Sequence, residues 1–147
     1  MATDMPPDYQ RHVWFFEKAD PAMYWLVCDG KKPIGVINLA DYVPRHRRTS
    51  FGFYIGDTEE WLKGPWVLPE FYNYIFNNRG IDKIMAEVLM INTNMIEIHY
   101  RHGYRNVGIQ QKHIYKSEKW HDCVLLELHK DKWREQGFNE SIGEFKF

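Results

Sequence analysis

The stretch from Ile84 to Tyr104 constrains this 147-residue chain more than any other. Its first part, Ile84-Met85-Ala86-Glu87-Val88-Leu89, is an almost unbroken apolar run, the composition of a mostly buried strand. Asn94 then stands where a side chain can cap a short helix, and Met95, Ile96, Ile98 and His99 give that helix one buried stripe. Gly103 stops the helix, because glycine readily adopts the left-handed backbone of a helix end, and Tyr104 restarts an extended segment. This order of strand, polar turn, amphipathic helix, glycine stop and strand would let Asn92 and His99 face one cleft.

Around that stretch the chain reads as one domain without linkers or repeats, residues 1–135, followed by a tail over 136–147. A helical pattern over Asp8–Lys18 carries Val13, Trp14 and Phe15. Tyr24–Cys28 is extended, Asp29-Gly30 signals a hairpin turn, and Pro33–Ala40 is the return strand. Thr49–Ile55 is the next strand, after a loop bearing Arg45, His46, Arg47 and Arg48. A segment punctuated by Gly and Pro leads into a helix over Glu70–Asn78, stopped near Gly80, with Pro69 in its first turn. Asp82–Leu89, the helix capped by Asn94, Tyr104–Lys116 and His121–Leu128 complete the order. Helices between strands predict a mixed α/β fold with parallel and antiparallel pairs.

Composition narrows the function classes. Aromatic residues at 16% and a hydrophobic fraction of 44% exclude disorder, and a net charge of −1 gives no reason to expect a nucleic-acid or membrane-surface partner. No apolar run approaches the roughly 20 residues of a membrane span, and Met1–Pro7 lacks a signal-peptide pattern, so a cytoplasmic location is expected. Cys28 and Cys123 sit in strand-like runs and read as two reduced core thiols. The histidines show no ligand pairing, and His121-x-Cys123 alone does not make a zinc site, so no metal is expected.

The wording of the Glu87–Tyr104 stretch, E-V-L followed by N-x-x-x-I-x-x-H-x-x-x-G-Y, resembles the fifth strand and fourth helix of the GNAT acetyltransferases. Lys119-Trp120-His121-Asp122-Cys123-Val124-Leu125-Leu126-Glu127-Leu128 and Lys132-Trp133-Arg134 are similar to the closing strand and tail of one branch of that family. This branch includes the pseudaminic-acid pathway enzyme UDP-4-amino-4,6-dideoxy-N-acetyl-altrosamine N-acetyltransferase and acetyltransferases acting on ribosomal-protein N-termini and polyamines. The resemblance spans roughly residues 8–135 and implies the GNAT fold, with acetyl-CoA as co-substrate and an amine as acceptor. The family's first strand has no counterpart ahead of Asp8. Tyr24–Cys28 would then form an edge, covered either by the aromatic tail (Phe138, Phe145, Phe147) or by a second subunit in a homodimer.

The resemblance also assigns candidate site residues. The backbone of Phe53, Tyr54 and Ile55 would pair with the pantetheine arm of acetyl-CoA. The pyrophosphate would sit in the loop Trp61-Leu62-Lys63-Gly64-Pro65-Trp66, held by Lys63 and the N–H groups of Gly64, Trp66 and Val67 at a helix N-terminus. This loop departs from the family's R/Q-x-x-G-x-G/A: Trp61 and Trp66 replace two of its members, and Pro65 removes a donor. Asn92 would hydrogen-bond the CoA arm or orient a water, with Asn94 beside it. Glu87, an acid inside an apolar strand, is the candidate base, its pKa raised if buried. His99 occupies the place of the family's thiolate-protonating tyrosine and could donate a proton near neutral pH, with Tyr100 the weaker candidate.

The expected activity is N-acetylation of a primary amine by direct attack on the thioester, without an acyl-enzyme. A nucleotide-linked (UDP-linked) amino sugar is the first substrate choice, resting on the resemblance at His99 and at His121-Asp122 and on the arginine loop, which suits phosphates. A peptide N-terminus or a polyamine is the alternative. A GNAT-fold binding module without catalysis is the reading from a different class, prompted by the altered loop.

Overall fold

The computed structural model describes residues 17, 18, 20–56 and 64–137. Residues 8–16 of the expected first helix, Trp61 and Lys63 of the anion loop and the aromatic tail lie outside the described residues. Strands β1 (Tyr24–Asp29) and β2 (Lys32–Val43) form a hairpin through Gly30-Lys31, where Gly30 takes φ 59°. A 3-10 turn, Pro44–His46, leads to β3 (Arg48–Ile55). Helix α1 (Gly64–Asn78) crosses to β4 (Lys83–Leu89) and α2 (Thr93–Arg101) follows. A second hairpin, β5 (Arg105–Lys116) and β6 (Lys119–His129), then runs into α3 (Lys130–Glu135).

These strands make one mixed sheet in the order β1-β2-β3-β4-β6-β5, antiparallel throughout except between β3 and β4. That parallel pair needs a crossover, which α1 supplies. Among the described residues β1 is one edge of the sheet, as the sequence leads one to expect, and β5 is the other.

One face of α1 explains why the sheet holds together. Leu68, Phe71, Tyr72, Ile75 and Phe76 recur at helical spacing and are almost wholly excluded from water. Their partners come from both halves of the sheet. Phe71 packs on Trp25 and Phe51, while Tyr72 packs on Phe51, Tyr104 and Trp133. Two buried polar pairs in this packing are matched: Tyr104 donates to the Tyr72 hydroxyl at 3.0 Å, and Trp133 Nε1 donates to Asn73 Oδ1 at 2.7 Å. On the strands, Ile84, Ala86 and Val88 meet Leu128, Leu126 and Val124 across β4–β6.

Three expectations need correction. Helix α1 begins at Gly64 rather than Glu70, with Pro69 inside it. Only the bond from residue 69 back to Pro65 is lost, next to a helix start whose first N–H groups lack intrahelical partners anyway. Asn92, not Asn94, caps α2: its side chain accepts from the Met95 N–H at 3.3 Å, and Asn94 lies in the first turn. Cys28 is exposed, because strand alternation places it on the outer face with exposed Leu26 while Val27 faces the core, whereas Cys123 is buried.

Candidate functional site

The β3–β4 ladder covers only Arg48–Lys83, Thr49–Ile84 and Ser50–Met85. Beyond these pairs β3 continues along β2 as far as Ile55, and β4 continues along β6 as far as Leu89. The two strands therefore diverge, and a cleft of about 310 Å³ opens between them. Phe51, Phe53, Ala86, Val88, Asn92, Met95 and His99 line it, together with Glu87, Leu89, Cys123 and Ile114. Side chains alternate along a strand, so Glu87 projects to the opposite face from Ala86 and Val88, which carry the helices. His99 lies on the helix side, its ring 4.5 Å from that of Tyr104 and edge-on to Phe51. The cleft thus passes through the sheet, with Asn92 and His99 on one side and Glu87 on the other.

Electrostatics modify the roles expected of these groups. His99 is buried, and burial, reinforced by the nearby His102, lowers its pKa to about 4. At neutral pH the ring is uncharged, so it can offer a neutral N–H or a lone pair but not an imidazolium proton. Its Nδ1 is buried without a hydrogen-bond partner among the described residues. Glu87 is exposed rather than buried as expected, and its Oε1 lies 3.5 Å from His113 Nε2 on β5. Cys123 is buried beside it. Burial first, then the charges of Glu87 and Asp122, push its thiol pKa up, so it is not a poised nucleophile.

The remaining candidates separate. Phe53 lines the cleft, Ile55 points into the core, and the Tyr54 ring is exposed over a shallow groove with Leu26 and Pro33. Gly64 and Trp66 begin α1, so the backbone donors of a helix N-terminus follow directly on the segment after β3. Asn94 is exposed and does not line the cleft. Tyr100 is exposed on another face of α2, where Asn106 Nδ2 donates to its hydroxyl at 3.3 Å. The arginine loop lies at the paired end of β3, away from the cleft. There Arg47 bonds Asp82 Oδ2 at 3.0 Å and the Gly80 carbonyl. Among the described residues no cluster of His, Cys, Asp or Glu could hold a metal ion, and no helix is long and apolar enough to cross a membrane.

Sequence reasoning missed His113, Met95, Cys123 and Ile114 as neighbours of the site. The one available signal was the polar break Gln110-Gln111-Lys112-His113 inside an otherwise alternating strand.

A family model for the acetyltransferase (GNAT) domain matches residues 22–125. No curated protein matches the sequence. Among solved structures, the chain is similar to spermidine N-acetyltransferase from Vibrio cholerae in complex with CoA and spermine. The TM-score is 0.81 at 19% identity, covering 90% of this chain and 82% of that one. A dodecameric structure of spermidine N-acetyltransferase from the same organism, in an intermediate state, gives a TM-score of 0.71 at 21% identity, covering 85% and 72%.

Proposed function

For a chain that belongs to the GNAT acetyltransferase family, we propose that the open β3–β4 cleft acetylates the primary amine of a small polycation. The activity class is acetyl-CoA-dependent N-acetyl transfer, and acetyl-CoA supplies the thioester carbonyl that the amine attacks. The observation that carries the site is the ladder that stops at Ser50–Met85. It leaves one edge of β3 near Phe53 and Tyr54 facing a gap, the arrangement an extended amide-bearing arm needs for strand-like pairing. The N-terminus of α1 at Gly64 then offers the pyrophosphate backbone N–H groups and the positive end of a helix dipole, with Lys63 as an added charge.

The residues divide the work by side of the sheet. Glu87 receives the ammonium group from the face opposite the helices and takes its proton, so that the neutral amine can attack. Asn92, already spent as the α2 cap through Oδ1, has its amide N–H₂ left for the arm. His99 shapes the cleft wall and offers hydrogen bonding from a neutral ring. Proton return to the departing thiolate then comes from the attacking nitrogen or water, since an imidazolium is not present at neutral pH.

Two observations favour a polycation over the nucleotide-linked amino sugar. The carboxylate of Glu87 is at the cleft, with Asp122 one strand away, and the arginine loop that would suit phosphates lies at the other end of β3. The likeness in fold to a protein crystallised with spermine points the same way. The test is acetyl-CoA calorimetry followed by an acceptor panel of spermidine, spermine, a UDP-linked amino sugar and a short peptide. We expect acetyl-CoA binding that is lost in Gly64→Asp, and turnover led by the polyamines. Faster turnover of the UDP-sugar would overturn the substrate choice, and no acetyl-CoA binding by folded protein would overturn the site.

A further inference from the structure

Strand β5 carries a distortion that the fold alone does not require. Gln110 pairs with Cys123 and Ile114 with His121, so Gln111, Lys112 and His113 together oppose the single residue Asp122. Lys112 sits at φ 47°, a left-handed backbone that costs a non-glycine residue energy. Asp122 pins this bulge: its Oδ1 accepts from the Lys112 N–H at 2.7 Å. The carbonyl of the same residue accepts from Met90 N–H at 2.9 Å, tying down the turn after β4. Bulges re-aim side chains, and this one aims His113. Strand β6 lies between β5 and β4, so the nominal separation is two strand spacings, about 10 Å. The bulge nevertheless brings His113 Nε2 to 3.5 Å from Glu87 Oε1.

We propose that His113 is a positioning and proton-relay residue that acts through Glu87, carrying the proton of the substrate ammonium from the cleft to solvent. The proposal rests on the acetyltransferase reading above, with Glu87 as the group touching the amine. His113 does not line the cleft and is partly exposed, so it joins the carboxylate to water. The ammonium proton passes to Glu87 and on to the neutral His113 ring, and the resulting imidazolium is balanced by the Glu87 carboxylate. The neutral amine forms the C–N bond as the C–S bond breaks. The second proton of the attacking nitrogen goes to the departing thiolate, and His113 releases its proton to solvent. Acetyl-CoA and ammonium thus yield amide, thiol and one proton. Imidazole suits the relay because one ring nitrogen can take up a proton while the other gives one up. The charged and titratable groups packed near it are Glu87 from β4, Asp122 and Cys123 from β6, and Lys112 on its own strand.

The test pairs an NMR titration of the His113 ring with steady-state kinetics on the full chain. In Glu87→Gln the His113 ring signals should move and their response to pH should change, because the carboxylate 3.5 Å from Nε2 is gone. In His113→Gln, kcat/KM for the amine should drop about 10-fold or more and its acidic limb should move, with KM for acetyl-CoA unchanged. Added imidazole should restore part of the rate in His113→Ala. A ring titration indifferent to Glu87→Gln overturns the pairing even if no acceptor has been found. Wild-type activity and an unmoved pH limb in His113→Gln overturn the relay while leaving the acetyltransferase reading intact.

Discussion

His99 and His102 are the residues whose chemistry is most altered by folding. Burial lowers both to about 4, so folding expels their protons. Between pH 6.5 and 4 the unfolded chain binds more protons than the native one, and stability therefore rises with pH across that window. Acidification from pH 7 to 4 should cost on the order of 3 kcal/mol per ring, with the two not fully additive because His102 also acts on His99. Urea melts at pH 7.5, 6 and 4.5 would measure it, and His102→Gln should flatten the slope. Glu127 behaves in the opposite sense. Burial would raise its pKa, but hydrogen bonds from His129, Arg105 and Lys83 outweigh that and hold it at about 2. Its stabilisation is present above the ordinary carboxylate range and is lost as the pH falls toward 2, below the histidine window. The buried hydroxyl pair offers a second check at this scale. Tyr104→Phe leaves the Tyr72 hydroxyl buried without its partner and should cost about 1–3 kcal/mol in chemical denaturation.

Among elements, the strands were the most legible part of the sequence. β1, β3, β4 and β6 fall within a few residues of their expected bounds, because alternation and turn glycines act locally. The start of α1 was not legible: Pro69 has the same φ preference at a first helical position as one turn further in. Nor could sequence choose between Asn92 and Asn94 as the α2 cap, since both side chains can serve and the exit of β4 decides. Of the candidate site, the placement of Asn92 and His99 on one cleft was readable from helix spacing. The Glu87–His113 approach was not, because it depends on a bulge that brings strands two places apart together. Gly35 makes the most specific element-scale prediction. A Cβ there would lie 2.2 Å from the Tyr54 carbonyl oxygen, so Gly35→Ala must push β3 where it borders the cleft. We expect a stability loss of about 1–3 kcal/mol together with weaker acetyl-CoA binding, read by thermal melts and calorimetry. A variant that loses stability but binds normally would dissociate β3 geometry from the site.

For the whole molecule, the sheet is two three-stranded halves joined by three residue pairs. Hydrogen exchange should resolve them. Amides of β4 and β6, paired along their full length, should be slowest, and residues 51–54 should exchange faster until acetyl-CoA is added. Protection that appears instead in β5–β6 would place the co-substrate elsewhere. So short a seam also gives the aromatic cluster a further duty. Phe51 touches Phe71 and Tyr72 behind it and the cleft in front. The helix packing, more than backbone bonding, then acts as the jaw that gauges how wide the gap stands. Under the proposed function such a gauge would sort acyl donors by length. Under the proposed function, trimming it with Phe51→Ala should raise the propionyl-to-acetyl transfer ratio, and a half-buried packing residue would double as a ruler of the acyl chain.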